Sequence, residues 1–223
     1  MPKTSRLSEY GWNDKAARYV NLTTGRFVSS KAVKEGLEKV VAKSQAEIKL
    51  ISERLVAGDI TLAEWQTGMA QQIKLGHTAS AAAARGGWAQ MTQADWGATG
   101  QLVKKQYQYL GRFSSDIESG KVKLDGRFLT RAQMYGQAER GTYETMRSRY
   151  AAANKGAVEE RRVLEPGAEH CEAHGDRPGC VELAELGWQP IGTLPRIGEA
   201  TCWTNCLCHF ETRDEAGNII GED

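Results

Sequence analysis

No run of about 18 apolar residues occurs in these 223 residues, so no membrane-spanning helix is expected. The opening MPKTSRLSEYGW has no apolar h-region, so no secretory leader is expected either. Gly-x-Gly-x-x-Gly, a Walker loop and a Gly-x-Ser-x-Gly elbow are all missing, which removes the common nucleotide-binding and acyl-transfer signatures. Strand-like alternation of any length is missing from the first 160 residues too, and the closing GNIIGED reads as a frayed or strand-like end. Cysteine and histidine are scarce, with five and four copies, and through residue 169 the pair is represented by His77 alone. A cysteine count that is odd, in a chain read as made in a reducing cytoplasm, favours metal binding over a disulfide framework.

What is present is strongly periodic. Val33, Leu37, Val40, Val41, Ile48, Ile51 and Leu55 recur at three- and four-residue steps and predict a helix near 30–57, capped by Ser29 or Ser30 and ended by Ala57-Gly58-Asp59. Thr61 and Glu64 form a capping box for a second helix with the stripe Leu62, Trp65, Met69 and Ile73. It continues through HTASAAAARGG, whose small residues let another helix approach closely. His77 within it reads as a surface or cap residue. Thr92 and Asp95 open a third helix with the stripe Trp96, Val103, Tyr107, Leu110 and Phe113, and residues 114–126 read as a polar connection. Thr130 with Gln133 opens a fourth, through Met134, Ala138, Met146 and Tyr150 to Asn154. TGRFVS (24–29) and DGRFLT (125–130) share a lead-in whose Phe would pack ahead of the cap as a hydrophobic staple. The six tryptophans are read mainly as core, with Tyr107 and Tyr109 beside Lys104 and Lys105 as the best local case for nucleic-acid contact.

Near residue 160 the texture changes: Gly and Pro rise, the helical period ends, and the cysteines begin. The expected fold class is mainly α, an elongated body of about four helices (1–160) and a small loop-rich module with little β structure (161–223). Charge divides at the same place, about +8 in the body and −7 in the module, although the whole chain is near neutral.

Eight of the nine Cys and His residues fall between 170 and 209. A loop-rich tail of this size buries little apolar surface, and a structural zinc would fasten it. The candidate metal ligands are Cys171, His174, Cys180, Cys202, Cys206 and Cys208, with His209 beside them. They outnumber the four a single zinc needs, so the ligand set stays open. The competing readings are a disulfide such as Cys180–Cys202, formed in an oxidising medium, and buried thiols without a bond. A catalytic zinc beside Glu172, or a Cys–His nucleophile, has no supporting motif, and no catalytic residue is assigned.

Residues 161–213, with EHCEAHGDRPGC, GWQPIGTLPRIG and TNCLCHF, resemble the C-terminal region of tailed-phage head morphogenesis proteins, the Mu F-like minor head proteins. Members of that family often end in a Cys-x-x-Cys pair, a Gly/Pro-rich loop and an Asn-Cys-Arg-Cys close. Here the pair reads Cys171-x-x-His174, and the close is Asn205-Cys206-Leu207-Cys208, with Leu207 where the family usually carries Arg. The TTGRFVS lead-in is similar to openings of other phage structural proteins. The resemblance implies a non-enzymatic minor head or portal-associated protein, made in the host cytoplasm, located in the virion and oligomeric within the particle. Its partners would be the portal, the major capsid or scaffold protein, and the DNA. The rivals are a nucleic-acid-binding zinc protein and a metal-dependent hydrolase or nuclease.

Overall fold

Ser29 sits in extended backbone and accepts the Ala32 N–H at 3.2 Å, and from there the amphipathic stripe runs unbroken as α1 (Ser30–Ala57). The Thr61–Glu64 box, both of its hydrogen bonds made, opens α2 (Leu62–Arg85). Thr92 and Asp95 cap α3 (Gln93–Glu118) in the same reciprocal way. The computed structural model describes residues 10–13, 16 and 18–220, with the side chains of Trp12 and Ser30 left aside, so the expectation about a leader lies outside the described residues. Ahead of α1, β1 (Tyr10–Asn13), β2 (Arg18–Asn21) and β3 (Phe27–Val28) form an antiparallel meander. No helix among the described residues is long and apolar enough to cross a membrane.

The body holds five helices rather than four. The expected fourth helix starts a turn early, because Asp125 accepts the N–H groups of Arg127 and Phe128, and it divides at Ala138 into α4 (Gly126–Gln137) and α5 (Glu139–Lys155). Thr130 and Gln133 are therefore interior, each bonding a carbonyl four residues back rather than forming a box. The polar connection shortens as well, since α3 runs to Glu118. Nor do the two Gly-Arg-Phe copies share a conformation: Phe27 is exposed on β3, whereas Phe128 is buried inside α4.

Helix α2 is the hub, packing against α1, α3 and α5. At one end of the bundle, Trp65 meets Phe113 and Phe128 among Ile48, Met69, Ile73 and Leu110. At the other, the Ala81–Ala84 run packs with Val33, Val41, Tyr143 and Met146, the close helix approach that small residues permit. Trp96 and Tyr107, expected on the buried stripe of α3, are partly exposed. Trp96 stacks on Trp88 instead, and the Tyr107 hydroxyl donates to the Ala70 carbonyl.

A polar layer separates the two apolar clusters, made of Ser44 from α1, His77 and Ser80 from α2, and Glu139 and Thr142 from α5. His77 is not on the surface. It is 1% exposed, and its Nδ1 lies 2.6 Å from the Thr142 hydroxyl. Gly76 permits the arrangement, because a Cβ there would stand 1.7 Å from a Glu139 carboxylate oxygen.

Beyond α5 the chain forms a second antiparallel sheet, ordered β5-β4-β6-β7. Its strands are β4 (Glu159–Val163), β5 (Gln189–Pro190), β6 (His209–Arg213) and β7 (Ile219–Ile220), with one short helix, α6 (Cys180–Glu185), between β4 and β5. The C-terminal region is thus more β than expected, and β4 straddles residue 160. Its inward face binds the body: Glu160 accepts the Ser148 hydroxyl of α5 at 2.7 Å and pairs with Arg196. Glu144 accepts the Phe210 N–H at 3.2 Å, and Arg147 donates to the Phe210 carbonyl. Burial pushes the Glu160 carboxyl up, but the hydrogen bonds from Arg196, Ser148 and the Gly192 N–H outweigh it and hold the group ionised below its ordinary range.

Candidate metal centre

Three stretches of chain deliver the sulfurs. Cys171 lies in the loop after β4, Cys180 opens α6, and Cys202, Cys206 and Cys208 come from the segment that leads into β6. The first two are drawn together by Gly179, where a Cβ would stand 2.3 Å from the Glu172 carbonyl carbon and 2.4 Å from the Cys171 oxygen. That close approach lets the Cys180 N–H donate to the Cys171 sulfur at 3.2 Å. A 3-10 turn, Trp203–Asn205, then folds Cys202 and Cys206 back to the same point.

The sulfurs form two groups that share Cys180. Cys171, Cys180 and Cys202 lie within 4.8 Å of one another, as do Cys180, Cys206 and Cys208. Cys180 Sγ is 3.4 Å from Cys202 Sγ and 3.5 Å from Cys206 Sγ. Those separations exclude an S–S bond of about 2.05 Å, and all five thiols are free. They approach the edge of about 3.8 Å for a tetrahedron of sulfurs 2.3 Å from one ion. The donor set therefore suits a soft metal ion held by thiolates, and Cys180 is the sulfur common to both groups.

Arg162, on β4, is the residue the sequence reading missed. It is 2% exposed, and its guanidinium donates to Cys206 Sγ at 3.5 Å, to Cys180 Sγ at 3.8 Å and to the Pro195 carbonyl at 2.6 Å. No carboxylate pairs with it among the described residues. A buried cation without an anion is costly, and thiolates supply the missing negative charge. Hydrogen bonds from Cys180, Cys202 and Cys208 pull the Cys206 thiol far below the ordinary thiol range, and Arg162 acts in the same direction. Bonds with Cys202, Cys206 and Cys208 push Cys180 far above it.

No family model, curated protein or solved structure matches this chain.

His174 stands outside both sulfur groups. The turn at Gly175 pairs the His174 and Arg177 backbones in a small bridge and leaves the imidazole exposed, with Glu172 exposed on the same loop. His209 is carried by β6, with Nδ1 3.6 Å from a Glu165 oxygen. The centre assembled by the fold is one of sulfur alone.

Outer-shell partners of metal ligands typically contribute 10- to 100-fold in affinity. Replacing Arg162 by Met keeps its length and removes its charge, so Arg162→Met should weaken metal-ion binding by about that factor. Competition against a chromophoric chelator measures this directly. An unchanged affinity would reduce Arg162 to packing against the Phe210 ring, which lies 5.3 Å from its guanidinium carbon.

Proposed function

We propose that this chain is a structural component of a tailed-phage head, a minor head or portal-associated protein that acts by docking to the portal, major capsid or scaffold protein, with its C-terminal module fastened by zinc. One observation carries the reading. The segments that bear the family likeness, around Cys171, Cys180 and Asn205-Cys206-Leu207-Cys208, are the segments whose sulfurs converge on Cys180. Zinc is the metal that an all-thiolate tetrad suits in a structural role: four sulfurs close the tetrahedron and leave no position for a reacting water. The metal's work is to hold loops, and the chemistry of the module is recognition.

Mass spectrometry of purified particles tests the virion role, with co-sedimentation on the cognate portal at about 1 M salt, where exposed charge pairs are screened. The chain should be found in particles and should stay with the portal. Absence from particles, or a portal complex that disperses in salt, would overturn the docking role.

A second reading, a nucleic-acid-binding zinc protein, shares the same centre. It is supported by the cationic groove that begins at the metal-bearing segment.

A further inference from the structure

Between α3, α4, the start of α5 and the loops that carry Cys202 lies a groove of about 1320 Å³. That exceeds the 300–1,000 Å³ of ordinary small-molecule sites and suits a segment of polymer. Its wall holds seven cationic side chains and two carboxylates, Asp116 and Glu199. Both carboxylates are engaged, Asp116 with Arg131 at 3.7 Å and Glu199 with Lys105 at 2.7 Å. Arg140 is held by Glu38 and Arg196 by Glu160. The cations left over are Arg112 on α3, Arg127 on α4 and Arg177 on the 171–178 loop, all exposed and without an ion-pair partner among the described residues.

Aromatic rings accompany them. Tyr109 lines the groove from α3, and Trp203 lines it from the metal-bearing segment, 48% exposed. Trp203 is the one non-glycine residue with positive φ among the described residues, at 52°. A bulky side chain is rarely found there, and such strain persists only where the surroundings impose it. Here Cys202 and Cys206 pin both ends of its turn to the sulfur cluster, and Thr204 donates to Gln137 at the end of α4. The Arg177 guanidinium carbon lies 4.0 Å from the ring centroid. A costly backbone conformation thus holds an exposed indole at the groove, with Arg177 against its ring and the Arg112 and Arg127 guanidinium groups lining the same groove without a carboxylate partner among the described residues.

We infer that this groove binds single-stranded nucleic acid, its phosphates held by Arg112, Arg127 and Arg177 and one base stacked on Trp203. A strip of cations with an aromatic platform is the arrangement that binds a single strand without reading its sequence, and a base inside a duplex cannot reach the indole. An acidic protein segment would use the cations but has no need of a strained indole. The inference rests on the second reading above and is independent of the virion role.

The test is fluorescence anisotropy of labelled dT12 with the full-length, metal-loaded chain. Three phosphate contacts predict a slope of log affinity against log salt of about −2. Trp203→Ala should weaken binding by roughly five- to a hundredfold, and Trp203→Phe, which keeps a ring, should retain most of it. Should Trp203→Ala fail to fold, judged by circular dichroism and zinc content, Arg112→Glu with Arg127→Glu on the exposed helix faces should abolish binding, while Lys31→Glu on α1 should not. Duplex binding without dT12 binding would sink this inference and leave the nucleic-acid reading standing. Failure of both would sink both. Poly-glutamate bound with the same loss on mutation would assign the groove to an acidic protein.

Discussion

Replacing Cys180 by serine should unfold the C-terminal module and leave the helical body standing. Structural zinc contributes about 10–16 kcal/mol of apparent free energy in small domains, which then are unfolded without it. The apolar cluster around Leu183, Leu194, Ile197 and Phe210 is built around three of the sulfurs and is small for a region of this length. The body has its own two clusters and should not need the metal. Hydrogen exchange should therefore show residues 159–220 unprotected and α1 to α4 unchanged, with α5 loosened where Glu144, Arg147 and Ser148 lose their partners. Chelation of the wild type should do the same. The arrangement of the two groups sharpens the test. Cys171→Ser leaves the Cys180, Cys206 and Cys208 group whole, and Cys208→Ser leaves the Cys171, Cys180 and Cys202 group whole, whereas Cys180→Ser breaks both, so each of the first two should cost far less. Native mass spectrometry showing no metal, with all five thiols alkylated while the module stays folded, would remove the centre. Equal losses from all five serine variants would remove the sharing by Cys180.

The sulfur centre was legible as a density of donors, but its membership was not. Spacing alone made Cys171 and His174 a plausible pair. The turn at Gly175 sends the imidazole to solvent, and Gly179 brings Cys180 to Cys171 instead. Arg162 gave no signal, because an arginine facing sulfur looks in sequence like any solvated one. The strands were hidden for a related reason. In β4 and β6 the inward residues are Glu160, Arg162, Phe210 and Thr212, so one face is buried yet no apolar alternation exists to be read.

Helices α1, α2 and α3 were legible because their stripes and caps agree, local preference and burial pointing to the same answer. The division at Ala138 was not, since no Pro and no capping side chain marks it, and Gly136 just ahead of it lies inside α4. The polar layer escaped for a deeper reason: a buried histidine among small residues has the sequence pattern of an exposed one. Only the neighbouring helices decide which it is.

That layer sets the stability of the body against pH. Burial pushes the Glu139 carboxyl up to about 8, with the Ser44 hydroxyl and Arg140 pulling only partly back, and neither carboxylate oxygen makes a hydrogen bond of good geometry among the described residues. Burial also pulls His77 down to about 4. Both groups are therefore neutral in the folded chain near neutral pH. Glu139, raised above its unfolded value of 4.5, contributes stability that is complete below pH 4.5 and lost as pH rises toward 8. His77, lowered from 6.5, contributes stability that is complete above pH 6.5 and lost as pH falls toward 4. Between 4.5 and 6.5 the two slopes oppose each other and the sum is nearly flat. From 6.5 to 8 only Glu139 acts, and stability should fall by about 2 kcal/mol at 1.36 kcal/mol per pKa unit, a Tm drop of about 4–8 °C for a chain of this size. Glu139→Gln is never charged and keeps the shape. It should abolish this fall and stabilise the body at pH 8 by as much as ~5 kcal/mol. A wild-type Tm that is flat from pH 6.5 to 8, or a glutamine variant with the same slope, would show that Glu139 is solvated and that the two apolar clusters are not parted by a dry polar layer.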